Sequence, residues 1–223
     1  MNMHMNATPE PMIAARRQPR SHKKGGAPIH HRGMLCLVLA VSLHANAALE
    51  TINYLGDTVV KDTDSGLMWL QDANLSNTTM NWTDAKDWAE ALDYAGYTDW
   101  RLPSAGLLNP DDPVGALDGS GDSGYNITRA RAELAHLYNG VLGNSSKYNA
   151  DGSESGTWSW PGNNGPFVDV VSTYWLAEEF APDTTLAWHF YATNGVQDAS
   201  LKAAGNLVGA WACLLYTSPS PRD

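Results

Sequence analysis

The stretch Asp62-Thr63-Asp64-Ser65-Gly66-Leu67-Met68-Trp69-Leu70 contains a turn and the strand it feeds. Asp, Ser and Gly are turn residues: the carboxylate and hydroxyl hydrogen-bond nearby backbone, and glycine takes the positive φ that a tight reversal needs. Thr58-Val59-Val60-Lys61 on one side and Leu67–Leu70 on the other read as short strands, so the segment predicts a β-hairpin. Further along, Asn81 is placed to cap a helix over 82–94. In it Ala85, Trp88, Ala89 and Leu92 follow the i, i+3, i+4, i+7 spacing of one buried face, and Gly96 supplies the stop.

The same spacing predicts a second helix over 129–142, with Ala130, Leu134, Leu137, Tyr138 and Val141 on one face and Gly143 at its end. Residues 104–126 and 144–165 have loop composition. Strands are expected over 172–177, 186–192 and 207–212, with Pro182-Asp183 and Asn194-Gly195 as turns between them. Two main helices among short antiparallel strands predict an α+β domain. The order does not repeat as β-α-β, so a dinucleotide-binding parallel sheet is not indicated.

Both ends of the chain read differently. Arg16, Arg17, Arg20, Lys23, Lys24 and Arg32 form a basic region, residues 33–45 an apolar run, and Ala45-Asn46-Ala47 a small-x-small cleavage pattern. The run is too short to span a bilayer, so residues 1–47 read as a basic leader with a signal peptide, and the protein is expected to be exported to the extracellular space or a bacterial cell surface. At the other end, residues 213–223, Cys-Leu-Leu-Tyr-Thr-Ser-Pro-Ser-Pro-Arg-Asp, resemble a translated sequencing-library adapter. The domain is therefore expected over 48–212, with its last strand truncated.

Setting the ends aside leaves seven Lys/Arg against 22 Asp/Glu in 48–212, a net charge of −15 compared with −10 for the whole chain. Such a surface repels phosphate and sulfate polyanions, which argues against nucleic acid and acidic polysaccharide as partners. Extracellular glycans or a surface protein remain as partners, and membrane association only through the signal peptide or a missing C-terminal anchor. Both cysteines, Cys36 and Cys213, fall outside 48–212, so neither a disulfide nor thiol chemistry is expected in that span. All nine tryptophans fall inside it and are expected mainly in the core.

Catalytic chemistry has little to build on. His136 and His189 stand alone, without a second ligand at metal spacing; His136 is expected at the core edge and His189 on the outward face of its strand. Paired carboxylates such as Glu178-Glu179 have the chemistry for glycoside hydrolysis, but acids are so abundant here that such pairs are expected by chance. No nucleophile elbow or phosphate-cradling loop follows a strand. No catalytic residue is assigned and the chain is not expected to be an enzyme. The candidate metal site is calcium on Asp111, Asp112, Asp118 and Asp122 in one Gly-rich loop, though Asp118-Gly119-Ser120-Gly121-Asp122 lacks the EF-hand order.

Several motifs together resemble the Lcl C-terminal domain family, also known as domain of unknown function 1566. They are the hairpin with Asp64, Gly66 and Trp69, the helix with Trp88, Trp100-Arg101-Leu102-Pro103, 133–138, Tyr174-Trp175, and 209–212 with Trp211. The resemblance implies a C-type-lectin-like α+β domain of the kind found in proteins with a PEP-CTERM sorting signal. It implies a surface binding or adhesion module with a ligand such as glycan or matrix. A structural matrix component and a modifying enzyme are the alternatives on the same scaffold. At the Trp-Arg-Leu-Pro motif, Pro103 favours an extended Leu102, with Trp100 and Leu102 on one side and Arg101 on the other, where an ion pair with a carboxylate is expected.

Overall fold

The computed structural model describes residues 48–54, 56–203 and 208–216, all within the second of two units, Ser42–Asp223. The expected leader and signal peptide lie outside the described residues. β1 (Leu49–Tyr54), β2 (Asp57–Asp62) and β3 (Leu67–Leu70) form an antiparallel meander. The predicted hairpin is its β2–β3 half. Its turn is held by Asp62, whose carboxylate accepts the backbone N–H groups of Asp64 and Ser65 and the Ser65 hydroxyl. Gly66 closes the turn at φ 73°.

α1 (Trp82–Glu90) starts where expected: the Asn81 side chain accepts the Asp84 N–H, satisfying an otherwise unpaired helix donor. It buries Trp82, Ala85 and Ala89. It ends four residues before the expected Tyr94, because Tyr94 pairs with Tyr97 in a bridge and packs edge-on against Trp100. Tertiary contacts override the helical pattern there.

The 104–126 loop carries two short strands, β4 (Gly115–Ala116) and β5 (Ser123–Gly124), paired in parallel. The expected second helix shrinks to α2 (Glu133–His136), followed by a π turn over Leu137–Val141. Residues ahead of it are held elsewhere, since the Arg129 guanidinium donates to the carbonyls of Gly106 and Gly121. The close approach of Gly106 fixes the same stretch: a Cβ there would lie 2.3 Å from the Arg131 and Ala132 backbone.

β6 (Thr173–Glu179), β7 (Leu186–Tyr191) and β8 (Val196–Leu201) complete a sheet of order β4-β5-β8-β7-β6. β9 (Cys213–Leu215) pairs antiparallel with β3, giving the other sheet the order β1-β2-β3-β9. The closing strand is thus displaced from the expected 207–212. Within the described part of that stretch, Gly209 bonds the β6 backbone while the Leu70 N–H donates to the Ala212 carbonyl, so it spans the two sheets. Cys213 is fully buried as a free thiol. Burial pushes its pKa up. Among the described residues no helix is long and apolar enough to cross a membrane.

Trp69, Trp82, Trp100, Trp175, Trp188 and Trp211 are buried, six of the nine tryptophans, so the core uses most of them. Four indole N–H groups donate to backbone carbonyls that tie segments together: Trp82 to Leu176, Trp100 to Tyr94, Trp175 to Met80 and Trp211 to Leu70. Trp88 is only partly buried on α1.

Candidate functional site

The Trp-Arg-Leu-Pro segment leads into the loops that carry the site. Trp100 and Leu102 are each 1% exposed, facing the core as their alternation requires. Arg101 points the other way and meets the Glu133 carboxylate in a two-pronged pair, both contacts 2.7 Å. Glu133 also accepts the Ser104 N–H at 2.7 Å, and the Cys213 sulfur lies 3.5 Å from the guanidinium. The Glu133 hydrogen bonds raise the Arg101 pKa further above its ordinary value. The motif thus clamps β9, the 101–104 segment and the start of α2.

The two adjacent glutamates do not converge. Glu178 accepts from the Ser104 hydroxyl and the Ala105 N–H, whereas Glu179 pairs with Lys202. The four aspartates of the candidate calcium loop are not gathered either. Asp122 is 1% exposed and takes the backbone N–H groups of Leu108, Asn109 and Val114. Asp118 binds its own Ser120, which lowers its pKa, and Asp111 and Asp112 are exposed. Among the described residues no three His, Cys, Asp or Glu side chains form a metal-binding group.

His136 sits at the core edge, its ring nitrogens 2.6 Å from the Thr128 carbonyl and 3.0 Å from the Asp64 carboxylate, tying the hairpin turn to α2. His189 corrects the expectation of an outward side chain: it is 1% exposed, because Trp175 and Tyr191 cover the face of β7 opposite Phe190. Neither ring nitrogen has a hydrogen-bond partner. Burial lowers its pKa to about 4, against the opposing pull of Asp198 across the β7–β8 ladder.

A histidine kept neutral in the fold but free to charge when unfolded stabilises the domain fully above the ordinary value of 6.5, and that stability is lost as pH falls towards about 4. The loss is up to about 3 kcal/mol. Urea denaturation of the wild type and of His189→Leu at pH 7 and pH 4.5 checks this: the wild type loses more between the two pH values. Equal losses would show that His189 does not set the acid limb.

One concave surface, a cleft of about 250 Å³, is lined by Asn126, Thr128, Asn139, Asn144, Ser146, Ser155 and neighbouring hydroxyls, with no charged side chain. Three chain segments meet there. Ser146 joins them: its hydroxyl donates to the Asn139 side-chain amide oxygen and accepts the Asn126 backbone N–H. Asn126, at φ 60°, donates to the carbonyls of Leu117 and Tyr148. Beside the cleft, Lys147 lies over the rings of Tyr148 and Trp158, and Tyr125 meets Tyr148 edge-on. The sequence marks these residues only as polar loop and helix edge. The density of Asn, Ser and Thr in 126–157 is the one signal that points to them.

Fold and site define an α+β domain with a tryptophan-rich core and an uncharged amide- and hydroxyl-lined cleft. Residues 58–108, which span the β2–β3 hairpin, α1 and the Trp-Arg-Leu-Pro segment, match the model of the Lcl C-terminal domain family. No curated protein and no solved structure matches the chain.

Proposed function

We propose that the chain is an exported binding module of the Lcl C-terminal type, built on a C-type-lectin-like scaffold, that holds a neutral extracellular glycan in the Asn126–Ser146–Ser155 cleft. The uncharged lining of that cleft carries the reading. Amides and hydroxyls hydrogen-bond sugar hydroxyls in any orientation, and the neighbouring Tyr148 and Trp158 offer amphipathic rings for contact. The acidic balance of 48–212 disfavours sulfated or phosphorylated ligands. Export follows from the leader sequence. Binding rather than catalysis is favoured because Glu178 and Glu179 are held by separate partners and His189 is enclosed.

A glycan array probed with the chain, with and without calcium, tests the proposal. The expected result is calcium-independent signal on neutral oligosaccharides, reduced about tenfold by Trp158→Ala, the scale of losing one well-packed aromatic contact. Retention on sulfated glycans alone, or on none, would overturn it.

A further inference from the structure

Next to the polar cleft lies a small apolar slot, and the two share Asn144 in their walls. Leu142, Phe167, Phe190 and Trp211 line the slot, and Trp160, 40% exposed, stands at its rim. Its free space is about 20 Å³, room for one water-sized group. Tyr138 also lines it, and the buried Tyr138 hydroxyl has no hydrogen-bond partner, although the residue is only 6% exposed. Buried hydroxyls are nearly always paired, so an orphan in a wall calls for an occupant. Asn164 brings an amide to the same slot.

The polar groups of these otherwise aromatic and aliphatic walls are the Tyr138 hydroxyl and the Asn144 and Asn164 amides. The group that fits is methyl-sized and apolar, joined directly to a hydrogen-bond acceptor. Resting on the glycan reading above, we infer that the slot receives the acetamido group of an N-acetylated neutral sugar. The sugar ring lies in the Asn/Ser/Thr cleft, the methyl group enters between Phe167, Phe190 and Trp211, and the acetamido carbonyl accepts from the Tyr138 hydroxyl. Trp160 closes over the methyl from the rim. The slot then sets specificity within a cleft whose own lining accepts any neutral sugar.

The test titrates the full chain calorimetrically with N,N′-diacetylchitobiose and with cellobiose, which share a backbone and differ in the acetamido groups. The diacetylated sugar is expected to bind about tenfold more tightly, the combined scale of one buried methyl and one hydrogen bond. Tyr138→Phe removes the orphan hydroxyl without changing shape and is expected to bring the two sugars to within about twofold, with the melting temperature equal or higher because an unpaired buried group is gone. Equal affinity of the wild type for both sugars overturns the slot assignment while leaving the glycan reading intact. A preference that survives Tyr138→Phe overturns the role of the hydroxyl, and binding of neither sugar, nor of any arrayed neutral glycan, overturns both readings.

Discussion

Trp211→Ala is expected to destabilise the domain by about 3–5 kcal/mol, the range for removing a buried large aromatic side chain. Trp211 is 3% exposed and its ring lies 5.3 Å from Trp69, 4.9 Å from Phe167 and 5.2 Å from Tyr174. Those partners come from β3, from the loop ahead of β6 and from β6 itself, so one side chain joins both sheets. Its indole N–H also donates to the Leu70 carbonyl at 2.9 Å, which the truncation leaves unpaired. Domains of this size have about 5–15 kcal/mol in total, so the loss is a large fraction of what holds the fold together. Urea denaturation followed by tryptophan fluorescence measures it, and Trp211→Phe, which keeps a ring in the cluster but not the N–H, is expected to lose about half as much. A loss below about 1 kcal/mol for the alanine variant would mean that the two sheets are held by other contacts.

The elements legible from sequence are those whose cause is local. The β2–β3 hairpin is encoded by Asp62, Ser65 and Gly66 within five residues, and the start of α1 by Asn81 and Asp84 within four. Where a partner distant in the chain decides, the local pattern misleads. The ends of both helices are set by Trp100 drawing Tyr94 away and by the Gly106 and Gly121 carbonyls holding Arg129. β8 was hidden because Val196-Gln-Asp-Ala-Ser-Leu201 neither alternates strictly nor carries an apolar run, and its pairing with β7 supplies what its composition lacks. Arg101 was expected to find a carboxylate, but only the fold identifies Glu133. The cleft was the least legible, since Asn126, Ser146 and Ser155 look like ordinary loop residues until three segments bring them together.

Breaking the Arg101–Glu133 pair is expected to have the second large effect, and an unequal one. The Glu133 side chain is 11% exposed and that of Arg101 38%, so the carboxylate has given up more of its water. Arg101→Ala leaves that enclosed charge with the Ser104 N–H and the Cys213 thiol as its remaining partners and is expected to cost about 3 kcal/mol, the low end for an uncompensated buried ion. Glu133→Ala leaves a guanidinium that water still reaches, together with an unpaired Ser104 N–H, and is expected to cost about 2 kcal/mol. The double variant is expected to cost less than the two losses added, by about 1 kcal/mol or more, because each single change already ends the same interaction. Arg101→Lys separates geometry from charge: an ammonium cannot place two parallel N–H groups on the carboxylate, so about 1 kcal/mol is lost even with the charge kept. Equilibrium urea melts of the four variants read all these values. Additive losses, or a lysine as good as arginine, would show that the Trp-Arg-Leu-Pro arginine fills space beside Cys213 and does not clamp α2 to β9.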